Sequence, residues 1–363
     1  ATQWPKNDEK AVGAKMRLMV RPVDDKDSWD LLVNDMGGNP FQLWGWGDLK
    51  AQTGSWEALR LAVLDEDRAV IGGAQVLLRT LPFPFRMLAY VPRGPFGDRS
   101  ELVPVAEAVA KYVGDKLPAV SILFEPPIPD SFPFDPEGGL EIDSTILLPS
   151  TLILDLTQSE DALLADMRKK TRSRVRKSLR EGLSVERVSD VETMEACLDI
   201  YAETGDRADF ALHGRDYYRA VFRDLGSYAP LYAARVNGEL AAFLWLLSSA
   251  DTAVELYGGS NELGRRSGTN FGLKWEAILD QKRAGVRHYD LNGLLGEGIT
   301  QFKTGFASHR DELHPPVEVP LSVLYPVWVR ALPLARELLS KAKGAARTAK
   351  RQLRGRVGEA DEA

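Results

Sequence analysis

LYAARVNGELAAFLWLLSS, residues 231–249, consists of two β-rich runs on either side of Asn237-Gly238. That dipeptide tolerates the positive φ required in a two-residue hairpin loop, so the stretch predicts two antiparallel strands. Downstream, AVELYGGSNE (253–262) predicts a third strand, the spacing predicts a helix over roughly 269–284, and HYDLNG (288–293) closes the unit as a strand. The same order occurs earlier in the chain. LRLAVLDEDRAVIGGAQVLLRT (59–80) is again two runs around a polar turn, followed by MLAYVPRGPFGD (87–98), a helix near 101–116 and the apolar strand AVSILFE (119–125). Each half therefore reads hairpin, strand, helix, strand, and a repeated unit of this size signals an internal duplication.

Helical segments precede each hairpin: DSWDLLVNDM (27–36) in the first half, ETMEACLDIYAET (192–204) and GRDYYRAVFRDL (214–225) in the second. Helices, then a meander, then a β-α-β element define an α+β class, in the order of the GCN5-related acetyltransferase fold. The expected architecture is a tandem pair of acetyltransferase-like domains. Residues 16–148 form the first; 149–310 form the second, opening with the strand TLILDL (151–156); 331–363 form a basic amphipathic C-terminal segment.

The 363 residues are 44% hydrophobic and 27% charged, the composition of a globular chain long enough for two cores. The first twenty residues carry charges throughout and hold no apolar block, so neither a leader nor a membrane span is expected there, and the expected location is the cytoplasm. Cys197, the single cysteine, lies in the apolar spacing Met194, Cys197, Leu198, Tyr201 and is expected in a core. His213, His288, His309 and His314 lack the spacing of a zinc site, and no metal or other cofactor is expected.

The net charge of −6 conceals segregated cations. A single helix is predicted over 160–180, capped by Ser159, with Glu160 and Asp161 in its first turn and Gly182 beyond its end. From Arg168 to Arg180 it holds eight Lys or Arg and no acid. Arg168, Lys169, Lys170, Arg172 and Arg176 are candidate phosphate contacts, because unmixed charge repels itself unless polyanions are near. A solvated surface is the competing reading, and the spacing does not separate tRNA from a diphosphate. Residues 327–356 carry nine Lys or Arg against Glu337 alone, behind an apolar start, which suits contact with anionic membrane or tRNA, or a packed helix with a solvated tail. Two glycine motifs are set aside. GLLGEG (293–298) does not open a helix after a strand as a dinucleotide loop must. Residues 265–270 only half match an acyl-CoA pyrophosphate loop, with Asn270 where a small residue is needed.

Four motifs in order resemble the Fem (FemABX) family of peptidoglycan cross-bridge transferases: FQLWGWGDLK (41–50), YVPRGPFGD (90–98), the segment TLILDLTQSEDALLADMRKKTRSRVRKSLREGLSVE (151–186), and YDLNGLLGEGITQFKTGF (289–306). The resemblance runs over roughly 40–320. It implies the second domain inserted into the first, with 311–330 returning to the first, aminoacyl-tRNA as donor, and a muramyl peptide as acceptor, either UDP-MurNAc-pentapeptide or lipid II. Residues 180–230 leave no room for the coiled-coil arm of some members, so a compact form is expected.

The resemblance places the family's essential lysine at Lys303, with Phe302 beside it shaping the acceptor-stem channel. A fixed cation there would stabilise the oxyanion and the departing ribose oxygen of an ester-to-amide transfer. Asp98, after the Arg93-Gly94-Pro95 turn, is a candidate base. The acceptor amine, with a pKa of about 10.4, must lose a proton before it attacks. The alternatives are a turn aspartate bonding its own backbone and proton removal by the substrate itself. Lys50, Arg207 and Tyr257 resemble the family's acceptor contacts, and Arg93 is assigned with them. Tyr217 and Phe210 are read as packing, and Ala211 stands where compact members place a second tyrosine. Two rival functions stay open: an acyl-CoA-dependent N-acyltransferase of polysaccharide biosynthesis, and a non-catalytic nucleic-acid or membrane-surface binding module.

Overall fold

The computed structural model describes residues 17–208, 211–294 and 297–331. Asn237 and Gly238 both take positive φ, 51° and 87°, and Val236 pairs with Glu239 across them. The hairpin strands Leu231–Val236 and Glu239–Ser248 are joined by Thr252–Ser260, all antiparallel. The helix Thr269–Arg283 then crosses over, and His288–Asp290 returns parallel to Thr252–Val254. Leu183–Arg187 extends one edge of this sheet and Ile153–Asp155 the other.

Lobe one repeats the scheme. Glu57–Leu64, Val70–Thr80 and Met87–Pro92 form the meander, the helix Leu102–Lys116 crosses over, and Ala119–Glu125 runs parallel to Met87–Pro92. Leu102, Val105, Ala106, Val109, Ala110 and Val113 bury one helical stripe on this sheet. The chain enters and leaves lobe two side by side, where Ser150–Thr151 pairs with Asp311–Glu312. Val317–Pro320 then pairs antiparallel with Ser121–Phe124, adding a strand to lobe one's sheet.

FQLWGWGDLK forms a 3-10 turn and a helix, Trp44–Thr53, despite its two glycines. Glycine lowers helix propensity by roughly 1 kcal/mol, but packing overrides it here. A Cβ at position 47 would collide with the Gln75 side-chain amide, and Trp46 and Leu49 are buried. Phe41, Trp46 and Leu49 lie in one apolar cluster with Tyr217, Tyr218, Val221 and Trp245 of lobe two. The lobes thus share a core. Between residues 181 and 230 lie one strand, the helices Val191–Ala208 and Arg215–Leu225, and a 3-10 turn; among the described residues there is no extended helical arm. Residues 325–331 are helical, and the C-terminal segment beyond them, like Phe210, lies outside the described residues.

Candidate active site

QFKTGF ends the helix Glu297–Lys303 and turns down onto the basic helix. The Lys303 ammonium is half-buried and donates to the carbonyls of Asn292 and, at 2.9 Å, Gly293. Both residues are left-handed, with φ of 51° and 50°. Asn292 is clasped on its other sides: its N–H donates to Asp290 Oδ1 (2.7 Å) and its side-chain amide to the Glu255 carbonyl (2.8 Å). Burial pushes the Lys303 ammonium down to about 8, with Lys274 adding to the effect and Glu255 and Asp290 opposing it.

Asp290 is buried and accepts from the Thr151 hydroxyl as well as from Asn292. Burial raises its carboxyl, against the pull of Arg93 and Lys303. Arg93, only 3% exposed, comes from lobe one in a left-handed turn and donates to the Leu148 carbonyl (2.6 Å). Its charge therefore lies in the Asp290–Lys303 field. Behind it, Lys274 and Glu255 form an ion pair at 2.5 Å, with side chains 5% and 7% exposed, and the Tyr289 hydroxyl donates to Glu255. Phe302 packs edge-on against Phe271 and Phe306, with the Lys274 ammonium 5.1 Å from its ring centre, so this ring forms a wall of the cluster. A cavity of about 150 Å³ opens between the lobes, with Asn39, Pro95 and Arg99 on one side and Asp251, His288 and Asp290 on the other.

Asp98 stands apart from this cluster. It is exposed at the entry to a 3-10 turn, its side chain caps no backbone N–H, and the carboxylates in the field of Lys303 are Glu255 and Asp290. Asp98, the candidate base of the sequence reading, thus lies exposed at this turn. A tight turn followed by a short 3-10 helix aims the Asp98 carboxylate outward, while the strand end at Asp290 points into the lobe junction.

Lys50 and Tyr257 are joined through Tyr217. The Lys50 ammonium donates to the Tyr217 hydroxyl at 3.0 Å, which lies 3.0 Å from the Tyr257 hydroxyl. Lys50 also sits 4.3 Å from the Trp46 ring centre, and His213 stacks on Tyr217 with ring centres 4.1 Å apart. Burial and then Lys50 hold the His213 ring below its ordinary value. Tyr217 was expected only to pack, because helical spacing shows which face is buried but not where a phenol oxygen ends. It supplies a second tyrosine hydroxyl where Ala211 offers none. Arg207 remains outside this chain of contacts, at 3.6 Å from Glu203 on its own helix.

The basic segment departs from the single helix expected. Glu160–Asp166 ends, Met167 and Arg168 are extended, and a second helix spans Lys169–Arg180. Met167 is buried, so the apolar spacing continues through the break and hides it from the sequence. Arg172 turns back and donates to the carbonyls of Leu164 and Ala165 (3.1 Å each), capping the first helix, which explains why its cation is only partly available. Arg168, Lys169, Lys170 and Arg176 are exposed, while Thr171, Val175 and Ser178 are buried. The Arg168 N–H donates to the Gly305 carbonyl at 3.0 Å, so this helix begins against the loop that carries Lys303. A Cβ on Gly305 would overlap the Thr171 hydroxyl.

At 265–270, the helix Glu262–Ser267 ends on left-handed Gly268, and the next helix opens with Thr269, buried and bonded to the Ser267 hydroxyl at 2.6 Å. Cys197 is buried and its thiol is pushed up to about 12, as core packing requires.

This arrangement is a tandem acetyltransferase fold with a polar cluster at the lobe junction. The acetyltransferase (GNAT) domain family matches residues 165–304. A lipid II:glycine glycyltransferase of Staphylococcus aureus is 28% identical over 242 residues, covering 62% of this chain and 54% of the relative, so the chain spans about half the length of the curated relatives it matches. The crystal structure of FemX aligns over 84% of this chain and 97% of its own, with a TM-score of 0.75 and 19% identity. The structure of L-PGS from Bacillus licheniformis aligns over 84% and 94%, with a TM-score of 0.53 and 14% identity. In sequence the chain is similar to this glycyltransferase, and in fold to FemX.

Proposed function

We propose that this protein moves an amino acid from aminoacyl-tRNA to an amine of a peptidoglycan precursor stem peptide, on lipid II or UDP-MurNAc-pentapeptide, in cross-bridge synthesis. The glycyl transfer named for the staphylococcal relative supports the reaction class. The observation that carries the reading is Lys303: a half-buried ammonium, aimed by two carbonyls, on a loop touching the first turn of a helix that exposes Arg168, Lys169, Lys170 and Arg176. Phosphates of a tRNA acceptor stem on that helix would bring the terminal ester toward Lys303. The neutral acceptor amine then attacks the ester carbonyl, the C–N bond forms, the bond to the ribose oxygen breaks, and the proton lost by the nitrogen passes to that oxygen. The Lys303 cation stabilises the oxyanion and the leaving oxygen. Lys50, Tyr217 and Tyr257, with Arg207 nearby in sequence, are the proposed acceptor contacts, since a cation and phenols suit a diphosphate. The proposed setting is the cytoplasm, at the inner face of the plasma membrane.

The test is direct. Labelled aminoacyl-tRNAs are incubated with the protein and each acceptor, and label is followed into the peptide. Transfer from at least one charged tRNA is expected, and none from acetyl-CoA. Failure with every charged tRNA and both acceptors removes the proposal.

A further inference from the structure

On lobe one, Phe83 is 87% exposed and Val323 94% exposed. Phe83 tips a turn flanked by Pro82 and Pro84 and closed by the Leu81 N–H on the Arg86 carbonyl (2.8 Å). Val323 leads into the helical stretch 325–331, where Val327 is 54% exposed. The two segments share one base. Phe85 meets Trp328 edge-on at 5.2 Å, and Leu81, Phe85 and Leu324 pack around Val120, Tyr325 and Trp328. Phe83, Val323, Val327 and Val329 are thus exposed on two segments that share one base, with Arg86 and Arg330 exposed in the same segments. Contiguous exposed apolar surface on a folded lobe marks a contact site.

We infer that this platform docks on an anionic lipid bilayer, with Phe83, Val323 and Val327 entering the headgroup boundary and the arginines meeting lipid phosphates. The apolar tips are raised knobs, which an acyl layer accommodates without a matching pocket. A second copy would set two arginine rims against each other, whereas anionic lipid neutralises them. The chain also runs from this platform into a stretch with nine Lys or Arg and one Glu over 327–356, so the added charge has the sign such a surface attracts. The inference is independent of the chemistry proposed above, because binding is read without any transfer.

The full chain is sedimented with vesicles of phosphatidylcholine alone or mixed with phosphatidylglycerol. Binding to the mixed vesicles is expected, weakening as salt rises. Phe83→Glu with Val323→Glu should weaken it at least tenfold without moving the melting temperature, and Arg86→Glu alone by about fivefold. Unchanged binding by the double variant would assign the attraction to the basic segment and overturn the proposal. So would failure of the wild-type chain to sediment with mixed vesicles. A wild-type dimer in light scattering that the double variant dissolves would make the platform an interface between copies instead.

Discussion

Lys303 keeps its charge only up to a pH near its value of about 8. If the cation serves the transfer, activity should fall as pH rises through that value. Lys303→Ala should lose about 100- to 1000-fold in kcat with an unchanged circular dichroism spectrum, and Lys303→Arg should abolish the alkaline fall whatever its maximal rate. Stability carries the opposite sign. The folded chain gives up this proton near 8 and the unfolded chain near the ordinary 10.5, so between those values the unfolded state holds more protons. The contribution of Lys303 to stability therefore rises with pH across that window, and its penalty is constant below it. Urea titrations of wild type against Lys303→Met should show the variant's advantage shrinking from pH 8 to 10.5. The lysine was legible in the sequence because the Phe-Lys-x-Gly-Phe element is local. Its carboxylate partners were not, since Glu255 and Asp290 reach it only once strand and turn are folded. Asp98→Asn should consequently keep transfer within about threefold, whereas Asp290→Ala, which removes a buried acceptor from Thr151 and Asn292, should lower both activity and melting temperature.

The split helix separates cations that one stretch of sequence presents alike. Lys169→Ala and Lys170→Ala should each weaken tRNA binding and flatten its dependence on salt by about one unit of log–log slope, without changing the melting temperature. Arg172→Ala should do the reverse, lowering the melting temperature by uncapping the helix Glu160–Asp166 and leaving the salt slope nearly intact. Gly305→Ala tests the joint between this helix and the lysine loop. Its Cβ meets the Thr171 hydroxyl, so a loss of about 1–3 kcal/mol is expected in urea unfolding, partly restored by adding Thr171→Ala. Thr171, Val175 and Ser178 are buried beneath the exposed cations. The break at Met167 escaped the sequence reading because a buried side chain on either side of a kink preserves the same period.

For the molecule as a whole, the duplicated order of hairpin, strand, helix and strand was readable because each element carries its own periodicity. The junction was not, because the contacts Lys50–Tyr217 and Tyr217–Tyr257 join residues 167 and 40 positions apart. Tyr217→Phe should cost about 1 kcal/mol in stability and raise the acceptor KM more than it lowers kcat. Lobe one also holds Val317–Pro320 against Ser121–Phe124, and Ser121 hydrogen-bonds Glu318 across 197 positions. On a ribosome, which releases the chain from its N-terminus, the earlier-made half must wait for that strand until all of the later-made half has emerged. The second lobe is then free to finish first and to hold the two distant pieces of the first close together.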